Sequence, residues 1–301
     1  VGLPVGDFGR TVTALPSRLV WAAGALLGEG PLWDVRGGAL WFVDIKDGAI
    51  CRYHPASDTR DRFAVGGMPS FIVPTDAEDF LIGSGNGLFR FGPAGLSDAI
   101  ARVEMPADNR TNDATVDCHG RLWFGTMDDR ETKPSGAVYR FDGQDIRRAG
   151  GACTITNGPA ISADGRWLYH VDTLGGSIWR FDIGGDLPLT GGTLFARIAP
   201  DEGTPDGVTI DSEGCLWVAI WGGGQARRYS PDGALLATVA LPCANVTKVA
   251  FGGPDLRTGF VTTARVGLAP EVLESQPLAG ALFAFDAPAP GLPLPAVRLG
   301  R

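Results

Sequence analysis

The stretch DCHGRLWFGT, residues 117–126, carries the pattern on which the fold turns. Asp117 to Gly120 reads as a tight turn, because aspartate and glycine tolerate the positive φ that short hairpins need. The run RLWFGT that follows reads as an apolar strand core. Five other stretches share its shape: ALWFVD at 39–44, DFLIGS at 79–84, WLYHVD at 167–172, CLWVAI at 215–220 and TGFVTT at 258–263. Their third residues are Trp41, Leu81, Trp123, Tyr169, Trp217 and Phe260, spaced 40, 42, 46, 48 and 43 apart. Asp164-Gly165 and Asp211 to Gly214 repeat the turn signal ahead of two of them.

A second series follows each core: GAICRY at 48–53, GLFRF at 87–91, GAVYRF at 136–141, GSIWRF at 176–181, GQARRY at 224–229 and GALFAF at 280–285. Each opens on glycine and closes on an aromatic. In GSIWRF, Ile178 and Arg180 point opposite to Trp179 and Phe181, the alternation of a strand. Six units with a period in the low to middle forties describe propeller blades of about four strands each. One such sheet cannot cover both its faces, but six packed around an axis can; a β-sandwich would not give six in-phase copies. The expected fold is therefore all-β, a six-bladed β-propeller with a central tunnel. It spans residues 1–301 as a single domain, with residues 1–20 as an N-terminal extension able to close a blade. Two insertions break the period, a polar loop from Met127 to Ser135 and a longer one from Arg265 to Ala279. Within the second, PEVLESQ at 270–276 reads as a short helix with Pro270 near its first turn.

Bulk properties narrow the function. The chain has 301 residues and 44 glycines, which favours many short strands and turns. Its formal net charge is −8 with no basic stripe, which argues against a nucleic-acid partner. The five cysteines, Cys51, Cys118, Cys153, Cys215 and Cys243, are odd in number and form no CxxC pair. They suggest neither a disulfide framework nor a zinc site, and a cytoplasmic location is the expectation. Val1 to Arg10 lacks a signal-peptide pattern, although a cleaved export signal stays open because the chain begins at valine. No stretch approaches a membrane helix. A monomer or weak homo-oligomer acting on a small molecule is expected.

Counting back 11 or 12 residues from the core residues gives Glu29 before Trp41, Asn112 before Trp123, Asn157 before Tyr169 and Asp206 before Trp217. Four repeats thus carry a carboxylate or amide at an equivalent place, just before or at the start of the innermost strand. In a propeller such places converge on the tunnel. Gly30-Pro31, Gly158-Pro159, Pro205 and Gly207 flank three of them, and would aim the side chains rigidly. Two carboxylates in one tunnel repel, and a cation would relieve that. An all-oxygen set without His or Cys favours a hard cation such as calcium, magnesium or manganese. Turn-forming Glu, Asn and Asp ahead of strands is the bland alternative. Blades 2 and 6 break the pattern, with Ser70 and with Thr247-Lys248-Val249. Lys248 could place an ammonium in the tunnel or point toward the blade core.

The same residues carry a resemblance. GEGPLW, LWFVDI, RTNDATVDCHGRLWFGTM, TNGPAISADGRWLYHVDT, PDGVTIDSEGCLWVAIWGGG and AFGGPDLRTGFVTTAR resemble the regucalcin/gluconolactonase family of lactone hydrolases, from about Leu27 to Asp286. The resemblance implies one divalent metal in the tunnel, with Glu29, Asn157 and Asp206 as protein ligands. The ion could be calcium, manganese, magnesium, zinc or ferrous iron. It implies that Asn112 lies close to the metal and that Arg110 reaches the sugar. It also makes Met127 to Ser135 an active-site lid, with Asp128 and Asp129 facing substrate. The sequence departs from the family at Ala114, Cys118 and the Thr247-Lys248-Val249 run, which bears on substrate identity more than on the ligands.

The implied activity is metal-dependent hydrolysis of a sugar (aldono) lactone, such as glucono-, xylono- or arabinonolactone. A bound cation would polarise the ester carbonyl and acidify a water, with Asp206 as catalytic general base. Serine catalysis fits poorly, because there is no G-x-S-x-G elbow and His54, His119 and His170 lack a partner pattern. Two rivals share the ligand set: a phosphotriesterase or arylesterase, whose tunnel would be more apolar, and a calcium-binding regulatory protein without a general base. An interaction scaffold would leave the in-phase acids and amides without purpose.

Overall fold

Short strands separated by aspartate and glycine turns dominate the chain, and the computed structural model, which describes residues 11–185 and 187–300, arranges them in six sheets. Each sheet starts from one inner strand. These are Gly28–Asp34, Pro69–Pro74, Asn109–Val116, Thr156–Ile161, Thr204–Ile210 and Val246–Gly252, belonging to blades 1 to 6 in that order. Each inner strand packs on the next, and the last packs on the first, so the ring is closed around an axis. The six repeated cores form the second strand of each blade, and the glycine-to-aromatic series forms the third. The fold is a six-bladed β-propeller.

The ring is fastened by the N-terminal segment. Arg18–Trp21 pairs antiparallel with Leu282–Asp286 and supplies the outermost strand of blade 6. Thr13–Leu15 adds in parallel to Leu235–Ala240, making blade 5 five-stranded. The first ten residues of the extension lie outside the described residues. Pro270–Ser275 is a short α-helix with proline in its first turn.

The turn motif and the buried tryptophan act as one unit. Asp117 accepts hydrogen bonds from the backbone N–H of His119 (2.9 Å) and Arg121 (3.0 Å) and from the Trp123 indole (2.8 Å). Asp211 repeats this with Glu213, Cys215 and the Trp217 indole, each at 3.0 Å. One carboxylate thus closes the hairpin and satisfies a buried indole N–H, which would otherwise cost about 1–3 kcal/mol. Between blades the packing is aromatic: Trp217 lies 5.0 Å from Phe285 and 5.7 Å from Phe251, and Trp41 lies 4.9 Å from Phe80.

All six inner strands share an irregularity. Each carries an extra residue relative to its neighbour, between Glu29 and Leu32, Pro69 and Phe71, Thr111 and Ala114, Asn157 and Ala160, Pro205 and Val208, and Val246 and Lys248. A β-bulge bends the strand and re-aims its side chains. The in-phase residues Glu29, Asn112, Asn157 and Asp206 all stand at these bulges, in the first few positions of the inner strands.

At the opposite end of the tunnel the C-terminal segment crosses the axis. Ser212 N–H donates to the Pro290 carbonyl in the passage from blade 5 (2.8 Å), and the Val297 N–H donates to the Pro74 carbonyl in blade 2 (2.8 Å).

Candidate active site

The bulges bring the sequence-selected residues to one place. Glu29, Arg110, Asn112, Asn157 and Asp206 all line a cavity of about 280 Å³ at one end of the tunnel. Glu29, Asn112, Asn157 and Asp206 are each between 4% and 7% exposed, so their polar atoms meet each other and the cavity rather than bulk water.

Neighbouring blades are linked by an amide and guanidinium chain. The Asn157 Nδ2 donates to Thr173 Oγ1 (3.0 Å). The Asn112 Nδ2 donates to Asn157 Oδ1 (3.0 Å) and to the Thr156 carbonyl (2.9 Å). The Arg110 Nη1 donates to Asn112 Oδ1 (2.8 Å), and its Nε donates to Asp129 Oδ1 (2.7 Å). An amide oxygen has two lone pairs. Asn157 Oδ1 spends one on Asn112 and keeps one for the cavity, while its NH₂ group is turned away toward Thr173.

The carboxylates are electrostatically stressed. Burial, followed by the Asp113 carboxylate, pushes Glu29 up to about 8. Burial, followed by Glu29 and then Asp113, raises Asp206 well above the usual carboxylate range. Glu29 Oε2 receives one backbone bond, from Gly30 N–H (2.8 Å). Three buried acids, Glu29, Asp113 and Asp206, share the tunnel with the ammonium of Lys248, which pairs with Asp113. Glu29 and Asp206 have no ion-pair partner of their own among the described residues, and burial resists their joint ionisation unless a cation joins this all-oxygen donor set. The residues fit a divalent cation in sign, charge and donor type. Among the described residues no cluster of three His, Cys, Asp or Glu side chains forms a metal site; the set here is two carboxylates and an amide.

Neither lid aspartate, both expected to face substrate, is among the residues lining the cavity. Asp129 accepts from Lys46 Nζ (2.7 and 2.9 Å) and from Arg110 (2.7 Å). Burial opposes ionisation there, but these two cations hold Asp129 below its ordinary value. It therefore spans from the loop of blade 3 to a lysine of blade 1. Asp128, expected to face substrate, is instead turned into its own loop. Its Oδ2 accepts from Thr132 N–H (2.9 Å), Thr132 Oγ1 (3.0 Å) and Lys133 N–H (2.9 Å), which keep the carboxyl low. Both insertions border the mouth, through Met127 and Glu131 from one and Val266 and Gly267 from the other.

The two blades that break the pattern use hydroxyls to join inner strands. Ser70 Oγ meets Thr111 Oγ1 at 2.7 Å, and Thr247 Oγ1 donates to the Gly28 carbonyl at 2.6 Å. Lys248 lies in the tunnel, not against the blade core. Lys46, Trp221 and Thr173 also line the cavity and escaped the sequence reading. Asp113 escaped it too, although its signal was present: it follows Asn112 where glycine follows Glu29, Asn157 and Asp206.

The model of the SMP-30/gluconolactonase/LRE-like region matches residues 27–265, most of the chain, including Glu29, Arg110, Asn112, Asn157 and Asp206. The chain belongs to this family. Within it, a 6-deoxy-6-sulfogluconolactonase of Pseudomonas putida is 33% identical over 271 residues, covering 89% of this chain and 93% of that protein. Rabbit (Oryctolagus cuniculus) regucalcin is 34% identical over 272 residues, covering 85% and 89%. Among solved structures, a calcium-binding protein, regucalcin, from Agrobacterium tumefaciens superposes with a TM-score of 0.90 at 30% identity, over 96% of this chain and 100% of that one. No helix among the described residues is long and apolar enough to cross a membrane.

Proposed function

We propose that this member of the SMP-30/gluconolactonase/LRE-like family hydrolyses the ring ester of a sugar lactone to the open-chain acid. In this reading a divalent cation sits on Glu29, Asn157 and Asp206. The observation that carries it is the convergence of two stressed, buried carboxylates and one half-free amide oxygen at the base of a small cavity beside Arg110. The lactonase name of the Pseudomonas relative supports the reaction class. Aldonolactones such as glucono-, xylono- and arabinonolactone are the substrate class, and calcium, manganese, magnesium, zinc and ferrous iron are the candidate ions.

When bound, the cation supplies Lewis acidity toward the ester carbonyl and acidifies a water. The chain's own residues do the rest. Asp206 takes the proton of the attacking water as general base and gives it to the ring oxygen as the acyl C–O bond of the lactone breaks. Coordination makes a carboxylate a weak base, which suits a labile ring ester better than an amide. Arg110, fixed by Asp129 and Asn112, presents its guanidinium edge to ring hydroxyls and to the oxygen that gains charge on attack. Asn112 positions both Arg110 and Asn157.

The test is a pH-stat panel of aldonolactones on chelator-treated protein with single metals restored. A metal-dependent rate above spontaneous hydrolysis on at least one lactone is expected, and no such rate on any of them defeats the proposal. The calcium-binding description of the Agrobacterium relative favours one other reading, cation binding without turnover. Wild-type turnover in the panel separates the two; an Asp206→Asn variant then tests the base, with retained metal binding and turnover reduced about 100-fold or more supporting it and unchanged turnover removing it.

A further inference from the structure

In each inner strand the residue after the in-phase position also stands at the bulge: Gly30, Phe71, Asp113, Gly158, Gly207 and Lys248 in blades 1 to 6. Two are charged. Blades 3 and 6 face each other across a six-membered ring, and the Lys248 ammonium reaches across to donate to Asp113 Oδ1. Both residues are buried, at 7% and 2% exposure. Gly207 clears the path, since a Cβ there would fall 2.6 Å from the Lys248 Cβ. Asp113 and Lys248 line a second cavity of about 240 Å³ on the far side of the tunnel, closed in part by Leu292 and Leu294. The pair lines this second cavity and not the first. Asp113 Oδ2 has no hydrogen-bond partner among the described residues.

We propose that Lys248 is a built-in counter-cation: by neutralising Asp113 across the tunnel, it leaves Glu29 and Asp206 as the two carboxylates that meet the ion, rather than three, and so sets the preference for a divalent over a trivalent ion. The inference rests on the reading of Glu29, Asn157 and Asp206 as cation ligands. Its basis is electrostatic. Charges a few ångströms apart in a buried site interact by several-fold more than in water. Lys248 and Asp113 therefore enter the cation's binding energy without touching it, and the sign of each contribution is fixed.

Calcium and lanthanum are titrated separately, by calorimetry, into metal-stripped wild type, Lys248→Met, Asp113→Asn and the double variant, with circular dichroism confirming the fold. Lys248→Met is expected to raise the ratio of lanthanum to calcium affinity by at least about tenfold. Asp113→Asn is expected to lower that ratio and to weaken calcium by about tenfold or more. The double variant is expected to return near wild type. Lys248→Gln replaces Lys248→Met if the latter does not fold. An unchanged ratio in both single variants overturns the proposal and makes the pair a packing element. A double variant as weak as Asp113→Asn also overturns it, because Asp113 would then hold the cation directly. Wild type that binds neither ion defeats the underlying ligand reading instead, an outcome distinct from the other two.

Discussion

Asn112 donates to Asn157 Oδ1 at 3.0 Å, and this one bond joins the substrate side of the cavity to the set of oxygens proposed to hold a cation. The two residues lie 45 positions apart and on different blades. Asn112 also accepts from Arg110, so it orients two groups at once. Asn112→Leu is expected to lower kcat/KM about 100-fold, because both Arg110 and Asn157 lose their fixed direction. Metal affinity measured by calorimetry should fall less than in Asn157→Ala. Equal losses in metal affinity would make Asn112 a ligand rather than a positioning residue.

Asp129 bridges Lys46 and Arg110 at the mouth. The Lys46 and Asp129 side chains are 31% and 29% exposed, so their ion pair contributes at most about 1 kcal/mol to stability. Lys46→Ala should leave the urea midpoint nearly unchanged and still raise KM several-fold, by releasing the loop that carries Asp129. Steady-state kinetics on the preferred lactone checks this; an unchanged KM assigns Lys46 to the surface alone.

The metal-free protein should lose stability as pH rises. Glu29 is held at about 8 in the folded chain, chiefly by burial, against an ordinary value of 4.5. The folded state therefore keeps a proton that the unfolded chain gives up. The stability this contributes is whole below about pH 4.5 and is lost as pH rises through about 8. Thermal melts of chelated protein from pH 5 to pH 9 should show a falling Tm. A saturating divalent cation, competing for the same carboxylates, should flatten that fall. Melts with the same slope in both conditions would disconnect Glu29 from the cation.

Trp217 is wholly buried, packs on Phe251 and Phe285, and gives its indole N–H to Asp211. Trp217→Ala should destabilise the chain by about 3–5 kcal/mol through the cavity it leaves. Asp211→Ala should destabilise by about 3–5 kcal/mol as well, because it leaves the Nε of the buried Arg228 guanidinium and the indole unpaired and loosens the turn. Urea unfolding measures both, and an effect of Asp211→Ala below about 1 kcal/mol would show that the carboxylate adds little beside the aromatic packing.

The amino-acid sequence by itself determined the number of blades and the phase of the site. Six apolar cores at near-constant spacing can bury their faces only against one another around an axis. Residues at equal distances from those cores must then converge, which is why Glu29, Asn112, Asn157 and Asp206 could be named from counting alone. Tertiary structure decided which way their neighbours point. In a regular strand, successive side chains leave on opposite faces, so Asn112 and Asp113 would not both reach the tunnel. The bulge, an extra residue in every inner strand, breaks that alternation, and no local pattern announces it. Contacts across the ring were hidden for a related reason. Lys248 and Asp113 are 135 residues apart and Lys46 and Asp129 are 83 apart. Asp128 and Asp129 look alike in sequence, yet one oxygen set is claimed by nearby backbone N–H groups and the other by cations from two blades. Periodicity fixes where each backbone passes; which partner a charged side chain meets is set by the closure of the ring.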